Sequence, residues 1–132
     1  MDAFTTHGAF SWSELMTNDA KAATEFYGTL FGWTIEPMPM AEGNYHVVKV
    51  GGEAVGGIMA MPPTAGPMPP AWGCYVTVAD VDATAKRCTD LGGKVAVAPQ
   101  DIPGVGRFAV ILDKQGAALN IITDAPPQGG SP

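Results

Sequence analysis

The chain contains one pattern of elements twice, and this duplication constrains its fold more than any other feature. Residues 10–33 read FSWSELMTNDAKAATEFYGTLFGW, and residues 71–94 read AWGCYVTVADVDATAKRCTDLGGK. Each stretch has a short strand pattern, an Asp, an amphipathic helix and a closing glycine. Superimposing Asp19 on Asp80 also superimposes Gly32 on Gly93, since both pairs are 61 positions apart. We therefore predict a duplicated unit in which Gly32 and Gly93 end the two helices.

Strand patterns fill the rest of each half. The strands are predicted at residues 10–16, 33–37, 45–50 and 53–61, and again at 73–79, 94–98, 107–112 and 117–123. The buried helix stripes are predicted to be Ala22, Ala23, Phe26, Tyr27 and Leu30 in the first half, and Val81, Ala85, Cys88 and Leu91 in the second. Gly56 and Gly57, inside a strand, indicate a bulge or a close approach of another group to the backbone. The fold class is α+β: two βαβββ modules forming a curved, cup-like, antiparallel-rich mixed sheet, with the helices on its outer face.

Glycine and proline place the module boundaries within a single domain of residues 1–132. The first module is predicted at residues 8–61, after a loose lead-in, and the second at residues 71–123. Residues 62–70 read PPTAGPMPP, in which five of nine residues are proline, so we expect a stiff connector. A disordered tail is expected at residues 124–132. PQDIPGVG at residues 99–106 is interpreted as a turn.

Charge and cysteine content exclude several classes of function. Seven Lys and Arg against thirteen Asp and Glu give a net charge of −6, and the basic residues do not cluster. Nucleic acid and anionic membranes are therefore poor partners. The chain lacks a long apolar run and a secretory pattern at its start, which predicts a cytoplasmic protein. Cys74 and Cys88 match no metal spacing or disulfide framework, and we expect buried free thiols.

Three stretches carry a family resemblance. They are DAKAATEFYGTLFGW at residues 19–33, WGCYVTVADVDAT at residues 72–84, and a G-x-G-R segment followed by L-D-x2-G-A before Asn120. Together with the repeated βαβββ order they resemble the vicinal oxygen chelate superfamily, the group of glyoxalase, bleomycin-resistance and extradiol-dioxygenase proteins. The resemblance covers about residues 8–123. It implies the fold described above but no single activity, because one fold serves many functions.

The resemblance also implies four positions at which the enzymes of this superfamily hold a metal with His, Gln or Glu. These positions correspond to Trp12, Gly73, Asn120 and one of residues 56–59. Only Asn120 offers a ligand atom, a neutral oxygen, whereas a divalent cation needs about three or four converging donors. We therefore expect the usual metal ligands to be lacking, with no metal and no cofactor.

A ligand-binding hollow is the remaining candidate site. Its predicted lining is Trp12, Glu14, His46, Met59, Trp72, Tyr75, Thr77, Ala118 and Asn120. A carboxyl group buried among apolar side chains has a raised pKa, so Glu14 is a candidate general base or anchor, with Tyr75 as its acid–base partner. Two alternatives stay open: Glu14 lies solvated near a strand end, or the tryptophans only fill a former metal space. His46 can face either side of its strand, and a lone strand histidine is more often structural than a ligand.

Two functions of different kinds are compatible with this site. The first is a metal-independent protein that encloses a small hydrophobic or aromatic molecule. The second is an enzyme of the same superfamily, a lyase, isomerase or dioxygenase that uses an unorthodox metal site or acid–base chemistry by Glu14 and Tyr75. A homodimer is expected, because isologous pairing is the commonest assembly of small proteins.

Overall fold

The structure, a computed structural model, describes residues 1–40, 43–61, 69–102 and 105–124. The chain divides into two compact units. The first unit is Trp12–Gly73, and the second unit joins Met1–Ser11 to the chain from Cys74 onward. Most of the predicted connector, residues 62–68, and residues 125–132 of the predicted tail lie outside the described residues. In the described ranges no helix has both the length and the apolar character that a membrane crossing requires.

The order strand, helix and three strands occurs twice. Its first occurrence comprises β1 (Phe10–Thr17), α1 (Ala20–Phe31), β2 (Thr34–Met40), β3 (Gly43–Val50) and β4 (Glu53–Ala60). Its second comprises β5 (Ala71–Thr77), α2 (Val81–Asp90), β6 (Lys94–Ile102), β7 (Gly106–Leu112) and β8 (Ala118–Asp124). The duplicated βαβββ order and the α+β class are therefore confirmed.

Strand pairing follows the same plan in both units. In the first unit the order is β2-β3-β4-β1, with β1 and β4 parallel and the other pairs antiparallel. In the second unit the order is β5-β8-β7-β6, with β5 and β8 parallel and the other pairs antiparallel. The first and last strands of each βαβββ segment are thus direct neighbours.

The helix caps agree with the prediction at three of four ends. The Asp19 and Asp80 side chains accept hydrogen bonds from backbone amides in the first turns of α1 and α2. Gly32 ends α1 in the left-handed conformation, with φ of 71°. The prediction for Gly93 was wrong, because α2 ends earlier and is capped at Leu91. Gly93 is needed for space instead, since a Cβ there would lie 2.7 Å from the Leu112 carbonyl oxygen.

The buried helix stripes are narrower than predicted. In α1, Ala20, Ala23 and Tyr27 pack against the sheet, whereas Phe26 and Leu30 are 60% and 57% exposed. Positions 20, 23 and 27 lie in one row along a helix, and positions 26 and 30 lie beside that row. In α2, Val81 and Ala85 are buried and Cys88 is half-buried. Leu91 is exposed, because it lies past the last helical residue.

Prolines do not end the strands where they were predicted to. β2 continues through Pro37 and Pro39, and β6 continues through Pro99 into the segment predicted as a turn. β2 and β6 are each at the end of their unit's strand order that lies away from the parallel pair. A proline is tolerated in such a strand because its missing N–H can lie on the unpaired side.

Two further expectations differ from the structure. Both cysteines are free, but Cys74 is exposed and Cys88 is half-buried, so full burial was wrong. The lead-in is ordered: the Thr6 hydroxyl donates to the Asp2 carbonyl at 2.7 Å, and the Gly8 amide donates to the Thr77 carbonyl at 2.7 Å. The first hydrogen bond lies within the lead-in, and the second holds the lead-in against the end of β5.

Arg107 on β7 joins α2 and β6 through two ion pairs. Its guanidinium donates to both carboxylate oxygens of Asp82, at 2.7 and 3.0 Å, and to Asp101 at 3.1 Å. The hydrogen bond from Arg107 lowers the pKa of Asp82 below its ordinary value of 3.8. A depressed folded-state pKa means that the stabilisation is present above the unfolded-state pKa and is lost as pH falls through the folded-state pKa.

Arg107→Gln should therefore lower the melting temperature at neutral pH, and the difference from the original protein should shrink as the solution is acidified below 3.8. Thermal unfolding followed by circular dichroism at several pH values measures this. Arg87→Gln, at an exposed position of α2, removes the same charge and serves as the control. A melting-temperature difference that does not change with pH would contradict the assigned role of the Asp82 pair.

Candidate functional site

The two faces of β1 have different surroundings. Leu15 is buried with Val48 and Ile58, on the side of the sheet that α1 covers. Side chains alternate along a strand, so Trp12 and Glu14 lie on the opposite face. Glu14 is only 8% exposed there. The alternative that Glu14 is solvated near a strand end does not apply.

A chain of hydrogen bonds orients the Glu14 carboxylate. The Trp12 indole Nε1 donates to the Tyr45 hydroxyl at 2.8 Å, and this hydroxyl donates to Glu14 Oε1 at 2.8 Å. Tyr45, on β3, thereby acts as acceptor and donor at once. We call these three residues the Trp12–Tyr45–Glu14 relay. It brings one carboxylate and two aromatic rings together on the face opposite α1.

Gly57 provides the space for the relay. It lies directly opposite Glu14 in the parallel β1–β4 pair. A Cβ at Gly57 would overlap the hydroxyl and ring of Tyr45. Gly56 is equally restricted, because a Cβ there would lie 2.8 Å from the Ser13 carbonyl oxygen. Gly56 and Gly57 were predicted to mark either a bulge or a close approach to the backbone, and both occur. The bulge is the shift in the β3–β4 register between Val48 and Lys49.

The structure brings some predicted site residues of the first unit together and separates others. Met59 pairs with Met16 and lies on the face of Glu14. His46 pairs with Ile58, whose side chain is in the α1-side core, so His46 lies on the face opposite Glu14. Trp72 donates from Nε1 to the Tyr27 hydroxyl on α1 at 3.2 Å. His46 and Trp72 therefore do not join the relay.

The predicted residues of the second unit also share one face. Val76 and Ile121 pack in the core beneath α2, so their strand neighbours lie on the other face. These neighbours are Tyr75, 5% exposed; Thr77, 4% exposed; and Asn120, which pairs with Tyr75. Asn120 Nδ2 donates to the Cys74 carbonyl at 3.2 Å.

Tyr45, which completes the relay, was not among the site residues predicted from the sequence. The signal was present: Tyr45 alternates with Val47 rather than with Val48, and glycines follow on the next strand. A glycine in a strand indicates that a neighbouring group approaches the backbone closely. The sequence did not identify that group because the partner depends on the β3–β4 register.

The structure shows the hydrogen bonds made at two of the four expected metal positions, Trp12 and Asn120. The Trp12 indole nitrogen is a donor only and is already hydrogen-bonded to Tyr45. Asn120 retains one amide oxygen as a possible ligand atom. Among the residues that the structure describes, no group of three or more His, Cys, Asp or Glu side chains could together hold a metal ion.

Curated relatives share substantial sequence identity with this chain. A protein named "Putative glyoxylase CFP32" from Mycobacterium bovis is 44% identical over 122 residues, covering 92% of this chain and 46% of its own length. The anthracycline biosynthesis protein DnrV of Streptomyces peucetius is 33% identical over 127 residues, covering 86% of this chain and 46% of its own length. The chain thus spans about half the length of these relatives.

Solved structures share the fold at low sequence identity. Methylmalonyl-CoA epimerase from Mycobacterium tuberculosis matches with a TM-score of 0.69 and 17% identity, covering 96% of this chain and 95% of the epimerase. The Streptomyces coelicolor methylmalonyl-CoA epimerase matches with a TM-score of 0.65 and 18% identity, covering 92% of this chain and all of the other. The sequence model of the Glyoxalase/Bleomycin resistance protein/Dioxygenase superfamily matches residues 9–121, and this chain therefore belongs to that superfamily.

Proposed function

We propose that this chain binds a small aromatic molecule on the relay face of the first unit, without a divalent metal. The ligand class is a compact or planar aromatic carrying a hydroxyl or ammonium group. The observation that carries the proposal is the buried Glu14 carboxylate, held in place by Tyr45. A buried, hydrogen-bonded carboxylate among aromatic rings provides the polar contact that orients a ligand in an apolar site.

The surroundings of Glu14 support an aromatic ligand. Trp12 and Tyr45 present rings, and Met59 adds a polarisable thioether on the same face. Aromatic and methionine side chains contact flat apolar molecules well, with ring–ring and sulfur–ring geometries both favourable. An ionised carboxylate only accepts hydrogen bonds, so the matching ligand group is a hydroxyl or an ammonium.

Daunorubicin, a hydroxylated polycyclic amine, is a suitable probe because relatives of this chain bear the name anthracycline biosynthesis protein. We expect saturable binding, followed by the fluorescence of the probe. Glu14→Gln should weaken binding about tenfold or more, since a charge-assisted hydrogen bond is lost. Tyr45→Phe should weaken it by a smaller factor, because the carboxylate remains but loses the hydrogen bond from Tyr45.

Glu25→Gln is the matched control, since it makes the same chemical change at an exposed position of α1. Its affinity for daunorubicin should equal that of the original protein. Unchanged affinity in Glu14→Gln would show that Glu14 is not the anchor. Binding that disappears after treatment with EDTA and returns with a divalent cation would contradict metal independence.

The second candidate is an enzyme of the superfamily in which Glu14 acts as a general base. The hydrogen bond from Tyr45 favours it, because a base must be held in a defined orientation. Isomerisation of a 2-oxoaldehyde–thiol adduct, the reaction from which glyoxalases take their name, separates the candidates. Turnover that is lost in Glu14→Gln would support the enzyme, and binding without turnover would support the first proposal. A homodimer and a cytoplasmic location stay predictions.

A further inference from the structure

A cavity in the second unit lies beside the ordered start of the chain. Its volume is about 240 Å³. The lining residues are Phe4, Thr5, His7, Thr77, Val78, Ala79, Thr123 and Asp124. This volume is below the range of drug-sized pockets, so only a small molecule would fit. The relay residues of the first unit do not line it.

Two lining residues carry buried oxygen atoms that lack a partner in the described part of the chain. They are the hydroxyl oxygen of Thr77 and Oδ2 of Asp124. The Thr77 residue is 4% exposed, and its backbone is paired with Gly8 and Ala9 while its hydroxyl is not. Buried polar atoms are nearly always hydrogen-bonded, because leaving them unpaired is unfavourable. Both residues line the cavity, so their unpartnered oxygens are candidate contacts for a ligand.

The charge around the cavity favours a cation. Asp124 is an acid, and none of the described lining residues is Lys or Arg. Burial raises the pKa of Asp124, and the nearby Asp2 carboxylate raises it further. A positive group placed beside Asp124 would offset both effects, because it favours the ionised carboxylate.

The remaining lining groups match a ligand with a short apolar part. Phe4 presents a ring, and Val78 and Ala79 present aliphatic groups. His7 is fixed in one tautomer, because its Nδ1 accepts a hydrogen bond from the Ala79 amide at 2.9 Å. The Thr123 hydroxyl is already used, donating to the Val78 carbonyl at 2.7 Å. Thr77 Oγ1 and Asp124 Oδ2 are the lining oxygens without a hydrogen bond among the described residues.

We propose that this cavity binds a small organic ammonium ion, with its N–H groups on Thr77 and Asp124 and its apolar part against Phe4. An ammonium group has three donors, so it can satisfy both unpaired oxygens at once. Its charge complements the Asp124 carboxylate. This site is independent of the function proposed for the relay face.

Benzylamine is the probe, titrated at neutral pH and followed by the amide NMR signals of Thr77, Ala79 and Asp124. We expect saturable shifts at these three signals, whereas benzylamine bound at the relay face would shift signals of the first unit. Asp124→Asn should weaken binding about tenfold or more, because it removes the charge that attracts the ammonium group. Thr77→Val, which removes the hydroxyl at constant shape, should weaken binding several-fold, by about the worth of one hydrogen bond.

The matched control for Thr77→Val is Ser11→Ala. Ser11 carries a buried hydroxyl that also lacks a partner among the described residues, but it does not line the cavity. Benzylamine affinity should be unchanged in Ser11→Ala. If Thr77→Val does not fold, Asp124→Asn alone decides, because Asp124 is less buried.

Three results would overturn the proposal. They are the absence of saturable shifts at Thr77, Ala79 and Asp124, equal affinity in Asp124→Asn, and equal affinity for benzyl alcohol, which has the same ring without the charge. Glu14→Gln should leave the benzylamine affinity measured at the Thr77, Ala79 and Asp124 signals unchanged, and Asp124→Asn should leave daunorubicin binding unchanged. The two proposals can therefore fail separately.

Discussion

Gly57→Ala should abolish daunorubicin binding and destabilise the first unit by about 1–3 kcal/mol, the usual cost of overpacking. The reason is steric: a methyl group at this position overlaps the Tyr45 hydroxyl and ring, which must move away. Tyr45 then loses its hydrogen bonds to Trp12 and Glu14. Chemical denaturation measures the free energy of unfolding, and probe fluorescence measures the binding.

Gly28→Ala is the control for this substitution. In α1 the new methyl group would have only ordinary contacts, the nearest being Ile35 Cδ1 at 3.7 Å. Alanine is more favourable than glycine inside a helix, so this variant should be more stable by about 0.5–1 kcal/mol. The two glycine-to-alanine substitutions should thus change the free energy of unfolding in opposite directions. Normal stability and normal probe affinity in Gly57→Ala would refute the role given to Gly57.

Ile58→Ala should lower the free energy of unfolding by about 2–5 kcal/mol. Ile58 has no exposed surface and packs against Leu15 and Val48 in the core of the first unit. Removing three carbon atoms there loses apolar burial and leaves a cavity that close-packed neighbours fill only in part. Denaturant titration followed by tryptophan fluorescence measures this change.

Val55→Ala, on the same strand but 45% exposed, is the matched control. Its expected cost is below about 1 kcal/mol, because solvent fills the space of the removed methyl groups. Similar losses in the two variants would mean that Ile58 is not at the centre of the core. Ile58→Val removes only one carbon atom and should lower the free energy of unfolding by about 0.5–1.5 kcal/mol.

Local signals in the sequence predicted the local structure well. Asp19 and Asp80 are the N-caps as expected, since an Asp before an amphipathic stretch satisfies free amides. The 61-residue offset between the two halves wrongly predicted that Gly93 ends α2. Sequence periodicity cannot show that the Leu112 carbonyl lies against this glycine. Trp72 was predicted to line the hollow, whereas its indole donates to the Tyr27 hydroxyl on α1.

The candidate site was predictable only in part, for a physical reason. Alternation along β1 correctly placed Trp12 and Glu14 on the face opposite α1. The side of a strand on which a residue lies is a local property, but its neighbour across the sheet depends on the register. The position of Tyr45 over Gly57 depends on the β3–β4 register and the bulge within it. For His46, flanked by residues of both faces, the sequence alone left the side open.

The parallel pairing of β1 with β4 has a consequence for folding. Trp12 and Glu14 are at the start of the first unit, and Gly57 is near its end, with α1, β2 and β3 between them. Such non-local pairing forms slowly, because closing the long loop between the two strands costs conformational entropy before their contacts form. The relay therefore forms only once the two ends of the first unit have met. A ligand bound to it selects fully folded chains and stabilises them by mass action, so it would act as a chemical chaperone for this protein.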